Sequence, residues 1–319
     1  MNNAPASCGA EGREVRRSNS PARTNSPLGC SARRGTAKQV PSGKLAADLS
    51  ALGSSTAEVA QPCVPAIELR EVSFSYGKEP FIGGLSAMFS HGAVTSIVGP
   101  NGCGKSTMVK LVDGLLRPQA GEVRVGGVPT LSLKAKARAR HVAVLAQASR
   151  PPAMTVEALV ACGRYPYQAH QGKLSREDRE HVERALELAG IARFRTQELR
   201  RLSGGERQRA FIAMTLAQDT DLIVLDEPTT YLDIRACHET MELIRRLNEE
   251  AGKTIVMVIH DLDLALRYSD RLLVMERGRA AAAGTVEEVL ATGAIERAFG
   301  VSIRPHEAAE GRAYTLFPA

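Results

Sequence analysis

The sequence predicts an α/β chain built around a parallel sheet, and three observations carry that prediction. Leu222-Ile223-Val224-Leu225 and Thr254-Ile255-Val256-Met257-Val258-Ile259 are almost unbroken apolar runs separated by a helix from about 235 to 250. Strands apolar on both faces belong to a parallel sheet covered by helices. A third apolar run, Ala93 to Val98, leads through the glycine-rich stretch GPNGCGKST at Gly99 to Thr107 into a helical run, Met108 to Val112 with Leu115 and Leu116 following. Finally, Ile67 to Phe74 alternates apolar and polar residues, which marks a half-buried strand outside the parallel core.

Taken in order, the chain opens with a segment that cannot build a core. Residues 1–65 lack Phe, Tyr and Trp and are rich in Ser, Ala, Gly, Pro and Arg, so they predict a disordered tail. The pairs Arg16-Arg17 and Arg33-Arg34 invite an export-signal reading, but no apolar segment follows either pair. Order is expected from Ala66. Ile67 to Phe74 and Leu85 to Phe89 predict an antiparallel layer ahead of the glycine-rich stretch, and Glu122 to Val128 gives another short strand ending in a Gly-Gly turn.

From about 150 to 205 the texture turns helical. Pro151-Pro152 breaks the chain, and Ser175 opens a helix with Asp178 in capping-box position and Val182, Ala185, Leu186 and Ala189 on one face. After the two apolar runs, Leu272 to Met275 adds a strand, and Thr285 caps a helix with Glu288 at its third position, opening a C-terminal extension of about 285–319. Lys134, Lys136, Arg138 and Arg140 read as a solvated helix face, with contact to lipid headgroups or an acidic partner as the sharper option.

Bulk composition excludes several classes. The 319 residues are 44% hydrophobic, enough for a real core, yet no run reaches the ~18 apolar residues of a membrane span. Residues 1–65 hold eight Lys/Arg against four Asp/Glu, so of the totals of 41 and 35 the remainder keeps 33 against 31. With the folded part nearly neutral, the overall positive charge is only weak evidence for nucleic-acid binding. The six cysteines form no C-x-x-C pair, so neither a disulfide framework nor a zinc site is indicated, which suits a reducing cytoplasm.

The chemistry concentrates in a few short stretches. Gly99, Pro100, Asn101, Gly102, Cys103, Gly104, Lys105, Ser106 and Thr107 fit G-x-x-x-x-G-K-[ST] between a strand and a helix, the context of a nucleotide-phosphate loop. Gly99, Gly102 and Gly104 let backbone N–H groups turn toward phosphate oxygens. Lys105 supplies charge at the β- and γ-phosphates, and Ser106 offers a hydroxyl to Mg²⁺. Asp226, ending an apolar strand, would be the metal partner, and Glu227 the base that deprotonates an attacking water. Ser203-Gly204-Gly205 before a helical run at Arg207 to Ala217 offers a second anion site, although alone it reads equally as an ordinary cap. Cys103, beside a helix start in an electropositive loop, reads as a thiol whose alkylation would block nucleotide binding and which Mg-ATP would protect.

Together these stretches resemble the ATP-binding subunits of ABC transporters, with GPNGCGKST, Gln147, LSGGERQ, LIVLDEP, Leu232-Asp233 and His260 in that family's order from Ala66 to the C-terminus. The resemblance implies a P-loop, RecA-like parallel-sheet core with an N-terminal antiparallel β-subdomain and an inserted helical subdomain, and ATP and Mg²⁺ as ligands. It also implies a dimer of two copies that sandwiches ATP between the phosphate loop of one and Ser203 to Gly205 of the other. On the same basis Tyr76 stacks on adenine, Gln147 senses Mg²⁺ and the membrane partner, Asp233 links the two sites, and His260 contacts the γ-phosphate. An isolated chain is then a poor ATPase.

Met154 to Glu157 leading into Gly163-Arg164-Tyr165-Pro166, and Thr229 to Ile234, are similar to importers of ferric siderophores, haem and cobalamin. Members often continue with x-His-Gln where this chain has Arg235-Ala236-Cys237, which leaves the substrate open. The implied partners are a second copy, integral-membrane permease subunits and, indirectly, a substrate-binding protein outside the membrane. The implied location is the cytoplasmic face of the bacterial inner membrane, as a peripheral subunit. The competing class, soluble relatives acting on ribosomes or nucleic acid, would carry two cassettes or a long coiled coil, and this chain has one cassette and no heptad run.

Overall fold

The computed structural model describes residues 64–147, 151–168, 173–308 and 311–318. The expected tail up to residue 63, with its arginine pairs and Cys8, Cys30 and Cys63, lies outside the described residues, as does the expected start of the helical insertion at 150.

The chain begins with β1 (Ile67–Phe74) and β2 (Ile82–Phe89), followed by β3 (Val94–Val98) and α1 (Lys105–Val112). The helix is shorter than its apolar pattern predicts. Gly114 adopts φ 66° and turns the chain, leaving Leu115 outside the helix and 67% exposed. Next come β4 (Ala120–Val125) and β5 (Val128–Pro129), which pair across the Gly126-Gly127 turn through Val125 and Val128. The expected single strand from Glu122 to Val128 is therefore a tight hairpin, because both glycines take left-handed φ of 55° and 78°.

Two elements follow, the first in the stretch expected to be a helix and the second not foreseen from the sequence. Helix α2 (Ala135–Arg138) is a single turn, and β6 (Val142–Leu145) is a short buried strand. Lys134, Lys136 and Arg140 are exposed, as the expected solvated face requires, and two of them also bond back onto the chain. Lys136 donates to the Gln168 carbonyl at 2.7 Å and lies over the Tyr165 ring, and Arg140 donates to the Pro166 carbonyl at 2.8 Å and lies over Tyr167.

The helical layer comprises α3 (Val156–Cys162), α4 (Arg176–Leu188) and α5 (Gly204–Ala217), with α3 and α4 packed against α5. Ser175 and Asp178 form the expected capping box on α4, worth ~1 kcal/mol. The remaining elements are β7 (Leu222–Asp226), α6 (Ile234–Glu249), β8 (Thr254–Val258), α7 (Leu262–Tyr268), β9 (Arg271–Glu276), β10 (Arg279–Thr285), α8 (Val286–Ala291), α9 (Ala294–Phe299), β11 (Val301–Ala308) and β12 (Gly311–Pro318). The capping box of Thr285 and Glu288 opens α8 as expected.

Three sheets result. An antiparallel sheet runs β2-β1-β4-β5, a six-stranded sheet runs β10-β9-β3-β8-β7-β6, and β11 pairs with β12 as a hairpin. Within the large sheet β9, β3, β8, β7 and β6 are parallel, and only the edge strand β10 is antiparallel.

Each central strand alternates between two cores. Ile223, Leu225, Ile255 and Met257 face one built with the helical layer and α6, and Leu222, Val224, Val256 and Val258 face the other, built with α1 and the antiparallel sheet. Burial on both faces is why these runs read as continuously apolar. Each such side chain contributes ~1.5–3 kcal/mol relative to exposure.

Candidate active site

The candidate site forms at the carboxyl ends of four adjacent strands, β3, β8, β7 and β6, where open α/β sheets place ligands. The phosphate loop leaves β3, and Asp226 and Glu227 end β7. His260 follows β8, and Gln147 follows β6. Asn101, Gly102, Gly104, Lys105, Ser106 and Thr107 line a cleft of about 190 Å³ together with Phe81, Glu227 and His260.

The loop holds its shape through its glycines and its lysine. A Cβ on Gly99 would collide with the Met275 carbonyl oxygen, and Gly104 caps α1 in a left-handed conformation, φ 107°. The Lys105 side chain is 95% removed from solvent, and its Nζ donates to the carbonyls of Gly99 at 2.7 Å and Pro100 at 3.1 Å. The loop thus shapes itself around an ammonium at its centre. The first N–H groups of α1 have no carbonyl one turn earlier within the helix, which leaves them to an anion.

Cys103 departs from expectation. It is 4% exposed, and its side chain belongs to the core beneath the loop. Its backbone closes the loop, with the N–H donating to Pro100 O at 3.3 Å and the carbonyl accepting from Gly278, and its Sγ lies 3.9 Å from Lys105 Nζ. Reagents reach such a thiol only when the loop opens, so the alkylation expected to block nucleotide binding should be slow in the folded protein.

The carboxylates sit in contrasting settings. Asp226 is 8% exposed; burial pushes its carboxyl up, while the hydrogen bond from Ser106 Oγ to its Oδ1 at 3.2 Å opposes that shift. Ser106 and Asp226 together present hard oxygen donors, few in number, as Mg²⁺ prefers when substrate phosphates supply the rest. No cluster of three or more His, Cys, Asp or Glu suited to a metal exists among the described residues.

Glu227 adopts φ 56°, a left-handed conformation costing ~1–3 kcal/mol for a side chain with a Cβ. Its N–H donates to Val258 O at 3.1 Å, which ties the strained residue to β8. The Glu227 carboxylate accepts from Gln147 Nε2 at 2.7 Å and from Thr230 Oγ1 at 3.0 Å, both on Oε2, and shares a hydrogen bond with His260 Nε2 through Oε1. Glu227, expected from its place at a strand end, and Gln147 and His260, expected from the family resemblance, therefore meet at one carboxylate.

Tyr76 is 61% exposed, with its hydroxyl 3.1 Å from Thr107 Oγ1 and its ring edge-on to Phe74 and Phe81. The other expected residues lie elsewhere. Ser203 and Gly205 line a separate cavity of about 430 Å³ with Asp233, Arg209 and Glu239, and that cavity shares no residue with the phosphate cleft. Ser203 caps α5 through Glu206, and Asp233 caps α6 by accepting from Ala236 N–H at 2.8 Å. Gly204 and Gly205 abut Leu232 and Ala236, where an added Cβ would lie 3.3 Å and 3.0 Å away. Two residues that sequence reasoning did not single out also belong to the site: Phe81, beside Tyr76, and Thr230, on the Glu227 carboxylate. A hydroxyl three residues beyond an acid in a turn was the available signal for Thr230.

A family model described as ABC transporter matches residues 82–230. The petrobactin import ATP-binding protein FpuD of Bacillus anthracis is 43% identical over 226 residues, spanning 70% of this chain and 83% of that protein. The iron(3+)-hydroxamate import ATP-binding protein FhuC of Bacillus subtilis is 39% identical over 236 residues, 74% of this chain and 88% of that protein. The ferric enterobactin transport ATP-binding protein FepC of Escherichia coli is 40% identical over 232 residues, 72% and 86%. Among solved structures, a metal-chelate type ABC transporter in an inward-facing conformation superposes with a TM-score of 0.70 at 23% identity, covering 80% of this chain and 98% of that one. A dimeric bacterial ABC transporter cassette gives 0.60 at 30% identity, covering 69% and 98%.

Proposed function

The chain belongs to the ABC transporter family as an ATP-hydrolysing subunit coupled to transport, and from that premise we propose that it powers uptake of a ferric siderophore, with haem and cobalamin as related substrates. The names of its relatives, petrobactin, ferric hydroxamate and ferric enterobactin importers, support the iron-chelate class. No helix among the described residues is long and apolar enough to cross a membrane. We assign the protein to the cytoplasmic face of the bacterial membrane, docked on permease subunits that receive substrate from a binding protein.

One observation carries the mechanism: the phosphate loop, Glu227 and His260 line one cleft, while Ser203, Gly205 and Asp233 line another. Two copies arranged so that one cleft meets the other's cavity would complete two ATP sites, which is the arrangement the separation favours. Gly99 to Thr107 would cradle the phosphates, and Tyr76 would meet the adenine. Ser106 and Asp226 would hold Mg²⁺, with the Gln147 amide oxygen as a further donor. Mg²⁺, when bound, neutralises charge on the β- and γ-phosphates.

Glu227 would accept a proton from the attacking water, and His260 would orient the γ-phosphate end of the cleft. Gln147 and His260 both bond to Glu227, so these contacts would have to give way before the carboxylate is free to meet the water. Closure of the dimer would move the permease, and hydrolysis would reset it.

The decisive experiment co-purifies this subunit with its permease and measures ATP-dependent uptake of ferric siderophore, haem and cobalamin side by side. Uptake of the siderophore above the others is expected. Transport of none, with ATPase activity intact, removes the substrate class.

A further inference from the structure

We propose that Thr230 is a positioning residue for Glu227, pinning one carboxylate oxygen so that the other is presented to the phosphate cleft; this rests on Glu227 being the base. The two oxygens of Glu227 have different surroundings. Oε2 accepts from Gln147 and Thr230, which line a small cavity of about 30 Å³ with Gln208 and Tyr231. Oε1 pairs with His260, which lines the phosphate cleft with Lys105 and Ser106. Glu227 is the residue common to both spaces, so rotation of its carboxylate decides which oxygen meets the cleft.

Of the three donors, only Thr230 travels with the acid. Gln147 follows β6 and His260 follows β8, and the His260 side chain is 43% exposed, so either can leave when its own strand end or loop moves. Thr230 sits in the same turn as Glu227, with its N–H donating to Glu227 O at 3.3 Å in addition to the hydroxyl bond at 3.0 Å. The turn is held in shape by left-handed residues at both ends, Glu227 at φ 56° and Tyr231 at φ 64°. A hydroxyl bonded to a charged acceptor is among the stronger neutral-donor hydrogen bonds. Once Gln147 and His260 let go, Thr230 Oγ1 is the contact that still fixes the carboxylate plane.

The test uses the full chain assembled with its permease and compares Thr230→Val, Thr230→Ser, Thr230→Ala and Glu227→Gln. Thr230→Val should lower kcat about tenfold while the KM for ATP, the affinity for a fluorescent ATP analogue and the melting temperature stay at wild-type values. Serine should restore turnover and alanine should not, a comparison that stands even if the valine variant fails to fold. Combined with Glu227→Gln, loss of the hydroxyl should cost nothing further. Equal turnover in the serine and alanine variants overturns the positioning role and leaves the base in place. A further tenfold loss in the Glu227→Gln background assigns Thr230 to another task and overturns the proposal too. Near wild-type turnover by Glu227→Gln alone removes the base itself, a distinct outcome.

Discussion

Asp226 and Glu227 are neighbours with opposite physical demands, and their substitutions should separate accordingly. Burial raises the Asp226 carboxyl, so its ionised form at neutral pH costs folding stability. Asp226→Asn keeps the shape and an acceptor for Ser106, and it should raise the melting temperature by a few degrees while abolishing Mg²⁺-dependent hydrolysis. Differential scanning calorimetry checks the first effect and phosphate release the second. Glu227→Gln should retain ATP binding and lose hydrolysis by ~10²–10⁴-fold, measured in the permease complex. Cys103 gives a third expectation. Because it is buried and Cys162 is exposed, a thiol reagent should modify Cys162 well before Cys103 in the folded protein, as peptide mapping by mass spectrometry would resolve. Rapid labelling of Cys103 would return it to the reactive role suggested by its sequence setting.

Among the secondary elements, the helical layer is fastened by one buried ion pair. Arg164 donates through Nε to Asp178 Oδ1 at 2.9 Å and through an amino group to Ala217 O at 2.8 Å, and it lies over the Tyr167 ring at 4.0 Å. It thereby joins the turn after α3 to the N-terminus of α4 and the C-terminus of α5. Burial pushes Asp178 up, but the bonds from Arg164 and Ser175 outweigh it and hold the carboxyl below its ordinary range.

A depressed carboxylate contributes stability that is present above the unfolded value of about 4 and is lost as pH falls through the folded one. Thermal melts should therefore drop more steeply below about pH 4 in the wild type than in Asp178→Asn. Arg164→Met, which strands the acid, should cost ~3–5 kcal/mol in denaturant titrations.

For the molecule as a whole, the separation of the phosphate cleft from the cavity lined by Ser203 predicts behaviour that one chain cannot show alone. Glu227→Gln with ATP should run as a dimer in light scattering, and the same variant without nucleotide should not. Ser203→Arg should prevent that dimer while leaving ATP binding to a single chain intact. A Ser203→Arg protein that still dimerises with ATP would remove this cavity from the partner's site. The paired cores on the two faces of the large sheet make this division possible, because together they fix the strand ends of β3, β6, β7 and β8 against one another.

What the sequence determined by itself is local or periodic. Apolar runs on both faces announced β7 and β8, the spacing of glycines and lysine announced the phosphate loop, and Ser175 and Thr285 announced their helices through capping residues three positions apart. What only the tertiary structure decided involves residues far apart in the chain or conformations without a periodic signature. Strand β6 is a four-residue apolar run, too short to tell strand from helix by its pattern, yet its place beside β7 brings Gln147 to Glu227. Gly114 cuts a pattern that continues across it, since a left-handed turn overrides apolar periodicity. Cys103 was legible as a loop residue but not as a core one, because the direction of its side chain follows from the turn of the loop over α1. Convergence of Gln147, Thr230 and His260 on one carboxylate needs three strand ends in register, and long-range packing of the sheet sets that register.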